Sequence, residues 1–572
     1  MSESTAQDTV KKGHPKGLYI LFATEMWERF NYYGMRAILV LFMIKALLFK
    51  DAFAFNLYGS YTGLVYLTPL LGGYIADRYW GNRMSIITGG IVMAIGEFIL
   101  FFCGSLYQSS PGLSSILFFS GLGFMIAGNG FFKPNISSMV GQLYPKGDRR
   151  VDAAYTIFYM GINVGGALGP FVCGLVGDTG NPADFKWSFL AGGIGMLLGV
   201  LVQKLYHHRY VVGPDNKTLG LVPANSPKVA TNPVVVTLGL LLFSFITIGL
   251  IYVDAKVFNY LFYLLIACIV FIAFVVFTDK SLSSIERSKV LVIFIVSFFV
   301  IFFWSAFEQA GASLTVFADR QTDRHLGLHI PLWVILAISA ALIYLVYDLF
   351  RKVKKNLGAP EDTKLRVAVY GLLALFFAAI AISDIYLLSM GKSTIAFDEL
   401  PASTFQSLNS IFVVSFAPVF AWFWLKLGKR EPASPTKMAL GLFLLALGYL
   451  WIAFGVKDVQ PTVKVSMIWL TGMYALHTCG ELCLSPIGLS LVNKLAPLKF
   501  ASLLMAVWFT ANAFANKFAG VLSTLYPDGK TTSFLGYQVA NNYDFFMLFV
   551  FMAGIASLIL FLLAGKLRKM MN

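Results

Sequence analysis

Apolar runs of 18 or more residues, nearly free of charge, recur from one end of this chain to the other. That is the length an α-helix needs to cross the hydrocarbon core of a bilayer. No water is present there to satisfy backbone amides, so each run must bond internally as a helix. The overall make-up agrees. Of the 572 residues, 58% are apolar and 13% charged, against roughly 45–50% apolar in a soluble chain, and the mean hydropathy is +0.73. The chain reads as an all-α polytopic membrane protein.

Sixteen spans are expected, at 18–48, 54–76, 84–105, 113–140, 153–177, 187–206, 233–253, 257–278, 290–318, 330–350, 366–390, 404–425, 437–455, 465–491, 500–525 and 543–565. The net charge of +15 would suit nucleic acid, but its distribution points elsewhere. About 30 of the 44 Lys and Arg fall in alternate loops on one side, the bias that marks the cytoplasmic face. Loop 351–366, with Arg351, Lys352, Lys354, Lys355, Lys364 and Arg366, is the strongest of these markers. Both termini are then cytoplasmic, in the plasma (bacterial inner) membrane. The polar start, with Lys11, Lys12 and Lys16, is not a cleavable leader, because the first apolar run is too long for one. The five cysteines, Cys103, Cys173, Cys268, Cys479 and Cys483, stand in apolar segments and read as buried free thiols.

The first span departs from this apolar pattern. Glu25, Glu28, Arg29, Tyr32 and Arg36 are three or four residues apart and share one helical stripe. A charge at the bilayer centre costs roughly 2.5–3.5 kcal/mol, so such a stripe needs partners and a polar cavity. Tyr33 lies within it. Further charges deep in spans are Glu97, Lys133, Glu308, Glu481 and Lys517, with Asp384 near a span end; the polar positions Tyr66, Asn163 and Asn409 join them. Some have plainer readings. Glu97 and Asp384 fit as protonated packing residues, and Lys517 as a side chain that pairs locally or snorkels. Asn163 or Asn409 alone fits as glue between helices.

The remaining charges sort by half. Arg29, Arg36 and Lys133 are cations of the first half, beside Glu25 and Glu28; Glu308 and Glu481 are carboxylates of the second. A cavity between the halves suits a zwitterion, its carboxylate toward Arg36 and Lys133 and its ammonium toward Glu481. Tyr32, Tyr66, Trp304 and Trp508 offer broad aromatic walls for varied side chains. Amino acids or short peptides fit this description.

Several stretches resemble known motifs. Gly72, Gly73, Asp77, Arg78, Gly81 and Arg83 form a loop similar to that of the major facilitator superfamily. Glu25, Glu28, Arg29, Phe30, Tyr32, Tyr33 and Gly34 resemble, in type and spacing, the signature of proton-coupled oligopeptide transporters of bacterial type. So do Phe132–Asn135, Tyr155 with Tyr159 and Asn163, Trp304 with Glu308, Phe405 with Asn409, and Glu481 with Pro486. The resemblance implies a facilitator fold of two six-helix bundles with a helical hairpin between them. The expected organisation is 1–210, a linker with two extra spans at 211–287, and 288–572. It implies proton coupling through Glu25, Glu28, Arg29, Lys133 and Glu308. It implies peptide binding by Arg36, Lys133, Asn163, Asn409 and Glu481 in a cavity lined by Tyr32, Tyr33 and Tyr66; Arg29, Trp304 and Trp508 are added to the binding set from the reading of the residues themselves. The implied ligands are di- and tripeptides and protons, in a lipid membrane, with no cofactor, metal, nucleic acid or obligate protein partner.

One departure from the resemblance is plain. Glu308 and Asn409 should lie on consecutive core helices yet are 101 residues apart. An inserted hairpin at about 330–390 is expected there, peripheral and on the lipid side. Proton-coupled drug export or uptake of an anion such as nitrate would leave the zwitterion-like charge split unexplained. A membrane enzyme would need a nucleophile or metal constellation. His14, His207, His208, His325, His329 and His477 are scattered and supply none. A sensing role stays open.

Overall fold

A computed structural model describes residues 13–571 apart from 146, 149, 257–258, 358–362 and 461. Lys11, Lys12 and the middle of loop 351–366 lie outside the described residues. The first half holds α1 (Lys16–Lys45), α2 (Asp51–Leu67), α3 (Pro69–Ile75), α4 (Gly81–Leu106), α5 (Pro111–Gln142), α6 (Arg150–Gly177) and α7 (Phe185–Tyr210). Then come α8 (Pro233–Lys256) and α9 (Tyr260–Thr278). The second half holds α10 (Ser284–Phe307), α11 (Ser313–Arg320), α12 (Leu332–Leu357), α13 (Thr363–Ser389), α14 (Ser407–Leu427), α15 (Ser434–Val456), α16 (Met467–Leu495), α17 (Ala501–Ser523) and α18 (Asn542–Met571).

Local chemistry sets the starts and breaks. α1 begins after Pro15 and ends at Lys45, a basic residue suited to the negative end of a helix dipole. α10 opens with a capping box: Ser283 Oγ accepts from Glu286 N, and the Glu286 carboxylate accepts from Ser283 N. Two expected spans are interrupted. Span 54–76 divides at Thr68, where Pro69 supplies no N–H and starts α3. Span 290–318 divides into α10 and α11 through a 3-10 turn at Glu308–Gly311. That turn puts Glu308 at a helix end instead of mid-helix. Pro134, Pro170 and Pro418 by contrast stay inside continuous helices.

In the first half α1 packs against α6 and α7, and α4 against α5 and α7. In the second, α15 packs against α16 and α18, and α10 against α17 and α18. The halves meet where α2 crosses α17 and where α6 meets α14 and the turn Ala402–Gln406. The linker beyond α7 returns under the first half: Trp80 Nε1 donates to Ala230 O at 3.0 Å, and Arg83 N to Gly220 O at 2.9 Å.

Among the described residues, 12 helical stretches are long and apolar enough to cross a membrane, one of them (Asp51–Leu106) containing α2, α3 and α4. The chain is an integral membrane protein. α1, α13 and α17 fall outside that set, and α1 and α17 carry buried polar residues in place of part of their apolar content. The hairpin α12–α13 sits where the sequence predicts an insertion. No residue in the most apolar window of α12 is buried. It is entered and left through an unforeseen antiparallel ribbon pairing His325–Pro331 with Thr394–Glu399. All five cysteines are free; Cys103, Cys173 and Cys483 are buried, whereas Cys268 and Cys479 are partly exposed.

Candidate substrate and proton site

The stripe on α1 is buried as a unit: Glu25, Glu28, Arg29 and Arg36 are 3%, 0%, 3% and 6% exposed. Arg29 Nε donates to Glu25 Oε1 at 2.8 Å and lies 2.6 Å from Glu28 Oε2. Glu28 Oε1 accepts from Asn129 Nδ2 on α5 at 3.0 Å. One guanidinium thus neutralises part of two carboxylates, leaving the group with a net negative charge if both are ionised. Every partner lies in the first half. In so dry a place a change in one charge is felt strongly by its neighbours.

Arg36 follows a different plan. Its Nη1 lies 3.1 Å from Glu308 Oε2, in the second half. The sequence separated these roles, Arg36 as a carboxylate-binding residue and Glu308 as a protonation site; the structure joins them. Tyr33 sits between the two arginines, with its ring centroid 5.9 Å from the Arg29 guanidinium and 5.5 Å from that of Arg36. Tyr32 stacks edge-on to Tyr33 at 5.2 Å.

Beyond Arg36, toward the end where α1 finishes (the distal end), more contacts join the halves. Lys45 Nζ lies 2.6 Å from Asp319 Oδ1, and Arg320 makes bonds of 2.5 and 3.1 Å to Asp51. Asp178 Oδ2 accepts from both the N–H and the hydroxyl of Ser403 at 3.1 Å. Toward the proximal end, α14 buries none of its described residues after Val413.

The other site residues form two groups. On the first half Lys133 Nζ lies 4.1 Å from the Tyr66 ring centroid, a cation–π contact. On the second, Asn409 Nδ2 donates to Glu481 Oε2 at 2.8 Å and to Thr478 Oγ1 at 3.1 Å, tying α14 to α16. Among the described residues, neither Lys133 nor Glu481 has a counter-ion within ion-pair distance. Asn163 donates to Tyr159 O of its own helix at 2.9 Å. Trp304 stands edge-on to Phe303 and Phe307. Trp508 is buried and fills the space over Gly488 on α16, so it presents less wall than the sequence suggests.

Three plainer readings also have outcomes. Glu97 is fully buried and accepts from Asn31 Nδ2 at 2.8 Å, and Asp384 accepts from Ser339 Oγ at 3.0 Å. Lys517 does not snorkel; it is fully buried and reaches Asp254 on α8 and polar groups of α2. Sequence reasoning missed Asn129, which stands between Gly128 and Gly130 and reads there as part of a helix-loosening cluster. It also missed Thr478, one turn before Glu481. The distal ion pairs were out of reach because each joins residues far apart in the chain.

These helices enclose charges at depth and divide them between two halves, the plan of a membrane carrier. The profile of the POT family matches residues 83–388 and 374–543. An uncharacterized transporter, YclF, of Bacillus subtilis is 34% identical over 92% of this chain and 90% of its own. A di-/tripeptide transporter of Lactococcus lactis subsp. cremoris is 30% identical over 98% and 97%. The crystal structure of a mutant peptide transporter POT in complex with alafosfalin aligns over 98% of this chain and 97% of its own, at 29% identity and a TM-score of 0.72. The chain belongs to the POT family. That family is one of transporters, not enzymes.

Proposed function

We propose that this protein is a proton-coupled symporter that imports di- and tripeptides by alternating access. The single observation that carries the reading is a pair of site charges, Lys133 on one half and Glu481 on the other, that have no counter-ion among the described residues. Arg29 and Arg36 already have carboxylate partners. A zwitterion offers one group to each of these charges, and a peptide adds side chains for the partly exposed Tyr66 and Trp304 to cover, whereas Tyr32, like Trp508, is buried and offers less wall than the sequence suggests. Relatives that transport di- and tripeptides, and a related structure holding alafosfalin, support the same substrate class.

The halves at 1–210 and 288–572, joined by 211–287, rock about this site as two six-helix bundles. Sixteen spans cross the bilayer: the 12 apolar stretches with α4 counted apart from α2 and α3, and with α1, α13 and α17 added. The basic loops put both termini in the cytoplasm, so the distal end faces outward. The distal ion pairs make this the outward-closed state. Glu25, Glu28 and Arg29 couple protons, and Glu308 takes a second. Protonating Glu28 leaves Arg29 with Glu25 alone, and protonating Glu308 frees Arg36 from the second half, so proton uptake at Glu308 prepares the distal end to part. Lys133 answers the charge of the Arg29 group and holds the peptide carboxylate; Arg36 joins it when freed. Asn163, Asn409 and Glu481 take the amino end. No cofactor is needed, because the proton gradient drives the cycle; membrane potential adds about 2.3 kcal/mol per charge per 100 mV.

The test is uptake by proteoliposomes under an imposed pH gradient. Labelled dialanine should accumulate while alanine and nitrate do not. Accumulation of alanine or nitrate at the same rate would overturn the assignment.

A further inference from the structure

A second buried charge pair stands outside the site. The side chains of Lys517 on α17 and Asp254 on α8 are fully buried, with Nζ 2.7 Å from Oδ2. Lys517 also donates to Ser60 Oγ and Asn56 Oδ1 on α2, both at 2.8 Å, and to Asn259 Oδ1 in the hairpin turn at 3.2 Å. Asp254 Oδ2 accepts from the Ser60 hydroxyl at 2.5 Å, and its Oδ1 accepts from the backbone N–H of Leu261 on α9 at 2.8 Å. Asn56 Nδ2 closes the ring of contacts on Asn259 Oδ1 at 2.8 Å.

Three bodies therefore meet at one point. α2 belongs to the first half, α17 to the second, and Asp254 and Asn259 to the hairpin between them. α8 packs on α2 and α5, and Thr247 donates to Gly123 O at 2.8 Å. α9 packs on α17, with Phe262 and Phe514 ring centroids 4.5 Å apart. The hairpin thus straddles the seam between the halves. At the same level the backbones of α2 and α17 almost touch: a Cβ on Gly59 would come within 2.9 Å of Gly520 Cα, and one on Gly520 within 2.6 Å of Phe55 O. Ser60 adjoins Gly59, and Lys517 lies one turn before Gly520.

We propose that the hairpin α8–α9 clamps the distal end shut, with Asp254 and Lys517 as the positioning pair that holds α2 against α17. This rests on the reading that the two halves rock. Opening the distal end requires α2 and α17 to part. Asp254 can stay with Ser60 and lose Lys517, or follow Lys517 and lose Ser60. In both cases a buried charged group gives up a partner, which is costly away from water. Apolar packing would fill the same space without charging that cost to one particular motion. The hairpin's length across the seam is otherwise unused by the transport site.

Electron spin distance measurements on the full chain in lipid nanodiscs test this. One label pair replaces Leu48 and Leu535, exposed on distal loops of the two halves; a second replaces Arg78 and Lys429, exposed at the proximal end. In Asp254→Asn and Lys517→Met the population with a long distal distance should rise about fivefold, a modest bias on a two-state balance. Ser60→Ala, which leaves the ion pair intact, should raise it less, and it decides alone if the first two do not fold. Monodisperse variants that keep the distal distances of the parent protein, while the parent still responds to peptide and pH, would overturn the clamp. A parent protein whose two label pairs never move would overturn the rocking itself, and the clamp with it.

Discussion

Two arginines seven residues apart on α1 are both buried against glutamates, one within its own half and one across the seam. Arg29 is held by Glu25 and Glu28 of its own helix, with Asn129 of the same half behind them. Arg36 is held by Glu308 across the seam. A proton arriving at the first pair changes the charge of one half and moves nothing by itself. A proton arriving at the second releases a bond between halves. In the proposed cycle the helix that carries both registers proton uptake at one level and loosens the distal closure at another. The difference lies in where each glutamate sits on the chain, not in residue type.

Arg29→Ala leaves two buried carboxylates without their cation, which should cost about 3–5 kcal/mol of stability. Proton-driven accumulation should vanish, as read by thermal unfolding and liposome uptake. Glu308→Gln should sharpen the contrast. It weakens a bond between halves, so the distal label distance should lengthen, whereas Glu28→Gln should leave that distance unchanged. Equal distal distances in the two variants would erase the distinction. At the substrate groups, Glu481→Gln removes a charged partner, an interaction worth roughly 1.5–3 kcal/mol. The KM for dialanine should rise by about tenfold or more, with less effect on a peptide whose amino end is blocked.

The smallest effect belongs to an exposed pair used as a control. Lys499 Nζ lies 2.6 Å from Asp279 Oδ2 in loops at the proximal end. The hydrogen bond from Lys499 and those from Ser281 hold the Asp279 carboxyl below its ordinary value. Its stabilisation is present above the unfolded carboxylate pKa of about 3.9 and is lost as pH falls through the lower folded value. The melting temperatures of Asp279→Asn and the parent protein should therefore differ slightly at neutral pH and converge below about pH 4. A difference as large as that at Arg29 would mean that burial is not what makes the α1 pairs strong.

Much of this was legible in sequence because membrane helices are long, apolar and punctuated. The stripe on α1 follows from helical spacing, and the interest of Lys133 and Glu481 from charges standing deep in apolar spans of opposite halves. Asn409 and Glu481, to which the resemblance assigns one role, are hydrogen-bonded at 2.8 Å. What was not legible depends on distance between remote segments. Nothing local says that Arg36 meets Glu308, 272 residues later. Nor does anything local say that Lys517, a snorkelling candidate by type, is buried against Asp254. The break at Glu308–Gly311 was also hidden, because the flanking residues read as one continuous apolar run. The ribbon at the base of α12 and α13 pairs segments too far apart to predict from alternation.

In the proposed cycle Glu28, held by Arg29 within one half, couples the proton gradient to peptide import. Proteoliposomes carrying either the parent protein or Glu28→Gln are given labelled dialanine under an inward pH gradient, and then under counterflow with no gradient. With this coupling the parent should accumulate dialanine above the outside concentration. Glu28→Gln should only equilibrate it, while retaining counterflow. Accumulation by Glu28→Gln to the level of the parent would contradict this coupling.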